Sequence, residues 1–287
     1  MYEAFYELKH RPFLMTADPD FLYWSNTHTL AFTMLRYGVM SRAPLSVITG
    51  EIGSGKTTLL RHLINELPED VVVGLVSNLQ EGRGDLLHWV MMSFGQPFED
   101  EAYVRNFQRF QEFLVENYAE GRRSILIFDE AQNMSHTSLE ELRMLSNINA
   151  DKDELLQIIL VGQPQLRDLL RDPRLEQVVQ RIAADFHIDG LGVEDTVAYI
   201  DHRLKVAGAR WRIFPTRTCE LIHEATGGIP RLVNSLCDLC LVYGFSDDQR
   251  TITEEVLRDF LAGVEKHGIF TKFKPLGRSP TLVRQSS

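Results

Sequence analysis

The segment Gly50-Glu-Ile-Gly-Ser-Gly-Lys-Thr57 constrains the fold of this chain more than any other stretch. An apolar β-branched run, LSVIT at 45–49, leads into it. A helical stripe of Leu59, Leu60, Leu63, Ile64 and Leu67 leads out of it and is stopped by Pro68. Strand, glycine-rich loop and helix in this order match the phosphate-binding pattern G-x4-G-K-[ST] in its required setting. Glycines let backbone N–H groups turn toward phosphate oxygens, and the helix N-terminus adds positive potential. The pattern assigns the β/γ oxygens to the Lys56 ammonium and a Mg²⁺ ion to the Thr57 hydroxyl. Gly50, Glu51, Ile52, Gly53, Ser54, Gly55 and Thr58 complete the expected cradle.

Short apolar runs continue the pattern: VVVGLVS at 71–77, SILIF at 124–128 and LQIILVG at 156–162. Apolar on both faces, they read as buried parallel strands. Helical stripes lie between them. Phe107, Phe110, Leu114 and Tyr118 mark one from Tyr103 to Tyr118, and Thr137-Ser-Leu-Glu140 has capping-box spacing ahead of Leu142, Leu145 and Ile148. This alternation predicts a doubly wound α/β sheet. After about residue 190 the strand signals end, and four amphipathic stretches separated by Gly or Pro predict a small helical domain.

The run SILIFDEAQN ends with Asp129 and Glu130, and the C-terminal end of a parallel strand is the ligand-binding edge of its sheet. A carboxylate there suits metal binding, directly or through water, which is the role expected of Asp129. Glu130 suits the polarisation of an attacking water.

GEIGSGKTT, IFDEAQN, LVGQPQL, QRI and GGIPRLVN, in this order, resemble the general secretion pathway protein A (ExeA/GspA) family of AAA+ ATPases. The earlier YEAFYELKHRPF, DPDFLYWS and LRYGV do so too, and the likeness covers nearly all of residues 1 to 265. It implies an α/β fold of the AAA+ P-loop NTPase class, a parallel sheet flanked by helices and followed by a helical lid. The implied organisation is an N-terminal segment of the ATPase core at 1–45, the nucleotide-binding domain at 46–190, the lid at 191–267 and a flexible basic tail at 268–287. ATP and Mg²⁺ are the implied ligands, hydrolysis of ATP to ADP and phosphate the implied reaction, and a homo-oligomer the implied assembly. By motif position Gln163 is sensor 1, close to the γ-phosphate and the attacking water. Arg181 is the arginine finger, reaching the neighbouring subunit's nucleotide, with Arg174 a weaker alternative. Arg231 is sensor 2, carried by the lid. A planar guanidinium suits these roles because it stays charged and binds phosphate oxygens in pairs. Phe13, Tyr23, Trp24 and Tyr37 are open to two readings, adenine stacking by the family's N-terminal segment or ordinary core packing.

The resemblance also implies a role: energising or organising a bacterial envelope assembly, type II secretion or polysaccharide export, with an inner-membrane or envelope protein as partner. Secretion ATPases of this family continue into a transmembrane helix and a peptidoglycan-binding region, whereas 268–287 is a short basic tail. The expectation is either a piece of such a protein or a short form similar to exosortase- and polysaccharide-export-associated ATPases. A second departure is Ala183-Ala184-Asp185 after the finger, where relatives often carry another basic residue.

Bulk properties narrow the alternatives. A net charge of −10 over 287 residues makes the whole chain a poor nonspecific binder of nucleic acid or anionic lipid. Three cysteines do not form a secreted disulfide framework, and no signal peptide or membrane-spanning run is evident. A cytoplasmic location, peripheral to the inner membrane through a partner, is expected. The stretch HRLKVAGARWRIFPTR at 202–217 holds five basic residues, no acids, Trp211 and Phe214, which supports an alternative function. That alternative is an ATP-regulated DNA-binding assembly protein of the transposition-regulator type. Cys219-x3-His223 and Cys237-x2-Cys240 have metal-like spacing, yet they lie on apolar helical stripes where Cys serves as a small hydrophobe.

Overall fold

The computed structural model describes residues 1–14, 21, 23–77, 79, 85–100, 102–150, 153–267 and 272–277. It consists of two compact units. One is Asn26–Asp189, an α/β unit; the other joins Met1–Ser25 to the chain after Gly190 and is helical.

The α/β unit runs α1 (Asn26–Met40), β1 (Leu45–Gly50), α2 (Lys56–Glu66), β2 (Val71–Ser77), α3 (Leu86–Ser93), α4 (Tyr103–Ala119), β3 (Arg123–Asp129) and α5 (His136–Leu145). There follow β4 (Asn149–Ala150), β5 (Asp153–Glu154), β6 (Leu156–Gly162), α6 (Pro164–Leu170), α7 (Glu176–Val179) and β7 (Ile182–Ile188). Five strands form one parallel sheet in the order β2-β3-β6-β1-β7, and β4 and β5 make a separate antiparallel pair. Side chains alternate across a strand, so each strand feeds two cores. Val47, Leu126, Phe128, Ile158 and Leu160 pack with α3, α4 and α5 on one face. Ile48, Ile125, Ile127, Ile159 and Val161 pack with α1 and α2 on the other.

The four runs read from the sequence are the inner strands and β2. The fifth, β7, carries Asp185 and His187 between its buried Ala184 and Ile188, the half-solvated alternation of an edge strand. It therefore lacks an uninterrupted apolar run. The cap of α5 also differs from expectation. Ser135 is the N-cap, its hydroxyl accepting from the Ser138 N–H at 3.1 Å, and Thr137 already lies in the first turn. Several hydroxyl residues in succession can each cap, and only the backbone path selects one.

The helical unit contains α8 (Val193–Val206), α9 (Thr216–Thr226), α10 (Pro230–Ser246) and α11 (Glu254–His267). Its core also takes Tyr2, Tyr6, Phe13 and Phe21 from the start of the chain. The Tyr6 hydroxyl donates to Gln249 O at 2.9 Å, and the Lys9 N–H to Ala207 O at 2.8 Å. The expected segment 1–45 is thus divided, residues 1–25 packing with the helical unit and α1 with the sheet. Of the expected tail, residues 272–277 pack onto the helical unit, with Phe273 buried and Lys274 N–H bonded to Ala225 O at 2.8 Å. Residues 268–271 and 278–287 lie outside the described residues, as does most of the DPDF stretch.

Candidate functional site

The parallel sheet brings three strand ends together. β1, β6 and β3 are neighbours, spaced about 4.8 Å apart, and their C-terminal ends carry the glycine-rich loop, Gln163 and Asp129-Glu130.

The loop from Gly50 to Thr57 turns tightly into α2. Gly55 has φ +101°, and a Cβ there would stand 2.8 Å from His28 Nε2. Only glycine meets both demands. A Cβ at Gly50 would meet Ile188 O and Ser54 Oγ, each at 2.7 Å. Lys56, the first residue of α2, is buried, and its ammonium donates to Gly50 O at 2.7 Å and Glu51 O at 2.9 Å. It is folded into the loop, bonded to its carbonyls. Burial pulls its pKa below the ordinary lysine value, and the charges of Glu130, Asp129 and Glu51 oppose that. Ser54 Oγ is buried with no hydrogen-bond partner. Glu51 and Ile52 are exposed, and Gly53 and Thr58 are partly so.

Asp129 Oδ2 accepts from the Thr57 hydroxyl at 3.3 Å. Two hard oxygen donors converge here, the donor type that Mg²⁺ takes. Burial holds the Asp129 pKa above the ordinary carboxylate value, with the adjacent Glu130 adding to it. Glu130 shifts the other way: burial pushes it up, but amide hydrogen bonds from Gln132 and Gln163, with the Lys56 charge, leave it lowered. Its backbone is left-handed, φ 58°, where a non-glycine residue costs about 1–2 kcal/mol. That turn lifts Glu130 off the strand's alternation and toward Gln163, whose amide donates to Glu130 Oε2 at 3.0 Å.

The structure therefore brings Lys56, Thr57, Asp129, Glu130 and Gln163 to one edge. Arg181 is elsewhere. It immediately precedes β7, at the opposite edge of the sheet, and its guanidinium donates to Ser146 O at 3.1 Å and Ser146 Oγ at 3.2 Å. It also bonds Asn147 and opens onto a groove lined by Glu154, Glu176, Gln177 and Gln180. Arg174 is engaged by the Asp172 carboxylate, with contacts of 2.6 and 3.0 Å. Arg231 is an exposed side chain in the first turn of α10, in the helical unit.

Sequence reasoning left out two residues near the loop. His28 on α1 places Nε2 2.8 Å from Ser54 O, and Gln132 bonds Glu130 Oε2 at 2.6 Å. Gln132 stands within the DEAQN run, two residues after Glu130, and that proximity was its only signal.

Of the four aromatics, Phe13 is core, edge-to-face with Phe214 at 6.1 Å, and Tyr23 packs against Tyr199 at 5.8 Å. Trp24 and Tyr37 are exposed. The basic stretch 202–217 is largely neutralised. Arg210 pairs with Glu7, Arg212 with Asp201 and Arg217 with Glu220, while Phe214 is buried and the Trp211 indole donates to Arg250 O. Cys219, Cys237 and Cys240 are buried, and burial pushes the Cys219 thiol up to about 12. Among the described residues no group of three or more His, Cys, Asp or Glu stands ready to hold a metal ion, and no helix is long and apolar enough to cross a membrane.

Residues 39–170 match the family model described as an AAA domain. Over 94% of its length the chain is 37% identical to general secretion pathway protein A of Aeromonas hydrophila, of which it spans about half, 49%. The fold is similar to that of the ORC2 protein of Aeropyrum pernix, with a TM-score of 0.62 at 17% identity over 94% of this chain and 73% of that one. It is also similar to Cdc6p of Pyrobaculum aerophilum, with a TM-score of 0.63 at 17% identity over 87% and 71%. Residues 39–170 therefore carry an AAA domain, and the chain is similar to general secretion pathway protein A over about half of that protein's length.

Proposed function

We propose that this chain is a Mg²⁺-dependent ATPase whose active form is an oligomer, and that it energises or organises an envelope assembly such as type II secretion or polysaccharide export. The observation that carries the enzymatic reading is the convergence of Lys56, Thr57, Asp129, Glu130 and Gln163 at the ends of three adjacent strands. Its pathway rests on the 37% identity to general secretion pathway protein A.

Each residue then has a task. Lys56 exchanges the Gly50 and Glu51 carbonyls for β/γ-phosphate oxygens, with the loop of Glu51, Ile52, Gly53, Ser54 and Gly55 and the start of α2 around them. Thr57 and Asp129 are the residues that would hold Mg²⁺, which neutralises phosphate charge when bound. Glu130 orients the attacking water and draws its proton, with Gln163 beside it. Arg231 keeps the sensor role implied by motif position. Arg181 opens a seven-residue strand whose far end lies by the loop, roughly 20 Å along the sheet. That separation supports action on a neighbour's phosphate.

Mixing two inactive variants tests this reading. Arg181→Ala alone should bind ATP yet barely hydrolyse it, since fingers of this kind are worth about 10³–10⁵ in rate. Lys56→Ala cannot use ATP but still offers Arg181 to its neighbour. Partial activity in the co-assembled mixture is expected; a mixture as inactive as its components counts against a finger acting between subunits. For the pathway, co-purification with an inner-membrane protein is expected. A salt- and ATP-dependent shift of duplex DNA would favour the transposition-regulator alternative, against which the acid-paired arginines of 210–217 stand.

A further inference from the structure

β3 ends at Asp129, and the left-handed turn at Glu130 leads into a single 3₁₀ turn, Ala131–Asn133. That turn carries Gln132 back toward Glu130 and across to the end of β6. Its amide nitrogen donates to Glu130 Oε2 at 2.6 Å, and its amide oxygen accepts from the Gln163 backbone N–H at 2.9 Å. Gln163 then donates its own side-chain amide to the same Oε2 at 3.0 Å. Three residues close a ring of hydrogen bonds, in which one carboxylate oxygen is taken twice. Oε1 has no hydrogen bond among the described residues. Space for this arrangement is reserved at Gly162, where a Cβ would stand 3.0 Å from Gln132 Oε1 and 2.9 Å from Leu166 Cδ2.

We infer that Gln132 is a positioning residue for ATP hydrolysis: it pins Glu130 through Oε2, beside Gln163, and leaves Oε1 as the oxygen that faces the attacking water. A carboxylate able to rotate would present either oxygen, and misplacement of about 1 Å at a reacting group costs on the order of 10²-fold in rate. Gln132 acts wholly through Glu130 and Gln163, so no contact with nucleotide is required of it. The inference rests on the ATPase reading above and adds to it a residue that the phosphate-loop and sensor motifs do not assign.

A purely structural role is the rival, with Gln132 merely bracing the β3 turn against β6 by accepting from the Gln163 N–H. Two variants separate the roles, each assayed at a protein concentration where the wild type is assembled and active. Gln132→Met keeps the volume and loses both hydrogen bonds. Its kcat should fall about 10–100-fold, while the KM for ATP stays within about threefold and the thermal midpoint moves by only a few degrees. Gln132→Glu keeps an acceptor for the Gln163 N–H but loses the donor to Glu130. Positioning predicts that kcat falls at least as far as in the Met variant, since the new carboxylate both fails to donate to Glu130 and repels it; a wild-type kcat overturns the inference. Should the Met variant fail to fold, Gln132→Leu takes its place with the same kcat, KM and thermal-midpoint readouts. An unchanged kcat in Gln132→Met, or a raised KM with unchanged kcat, overturns the inference and leaves the ATPase reading standing. If the assembled wild type hydrolyses no ATP, both fall together.

Discussion

Lys56 in the α/β unit and Arg203 in the helical unit are cations buried to nearly the same degree, 7% and 6% exposed. Their partners differ in kind. Lys56 is held by two carbonyls of the loop that precedes it by five and six residues. Arg203 donates to Pro12 O at 2.6 Å and to the Tyr199 hydroxyl at 2.9 Å, and Tyr199 in turn bonds Asn234 at 2.8 Å. That network ties α8 to α10 and to the N-terminal segment, across 191 residues of sequence. A buried cation whose partners are local carbonyls at a strand end can exchange them for a ligand. A buried cation that joins three separate segments is committed to the fold, because each lost bond strands a desolvated group. Burial alone does not distinguish function from architecture; the sequence distance of the partners does.

The sharpest way to break this comparison is to remove each cation. Lys56→Ala should abolish tight ATP binding and turnover while the far-UV spectrum and thermal midpoint stay near wild type. Hydrolysis at the wild-type rate would end the phosphate-loop reading. Next in size is Glu130→Gln, which keeps shape and removes the charge that orients water. It should bind ATP nearly normally and lose about 10²–10⁴ in kcat, accumulating any ATP-dependent oligomer. Equal loss of binding and turnover would instead make Glu130 a structural or metal-holding group.

Arg203→Met tests the other side. It should cost about 2–4 kcal/mol in denaturant unfolding. Truncating residues 1–12 should then cost less in the variant than in the wild type, since Pro12 O has already lost its donor. A neutral Arg203→Met would remove the architectural role. The smallest effect sharpens the α5 boundary: Ser135→Ala should lose about 1 kcal/mol, and Thr137→Ala no more than about 0.5 kcal/mol. The reverse order would return the cap to Thr137.

Much of the α/β unit was legible in the sequence. LSVIT, SILIF and LQIILVG are apolar on both faces because β1, β3 and β6 are inner strands covered by helices. VVVGLVS is an apolar run although β2 is an edge strand with Leu75 exposed, and the loop from Gly50 to Thr57 announces its own turn. β7 escaped because Asp185 and His187 interrupt it at the sheet's edge. The roles written into Lys56, Thr57, Asp129 and Glu130 came from residue type and spacing, and those side chains do meet at one edge.

Hydrophobic period, turn chemistry and the glycine demands of a phosphate loop act over a few neighbouring residues, so the order of β1, β2, β3 and β6 with α2, α4 and α5, and the tight turn of the loop, were determined by the sequence alone. Tertiary structure decided which strand ends adjoin, that Arg181 stands at the opposite edge from Lys56, and that residues 1–25 belong with the helical unit. It also decided that Gln132 closes a ring with Glu130 and Gln163. The Gln132–Gln163 bond joins residues 31 apart and the Arg203–Pro12 bond residues 191 apart. Contacts of that range exist only once the sheet and the helical core have formed, and no local pattern encodes them.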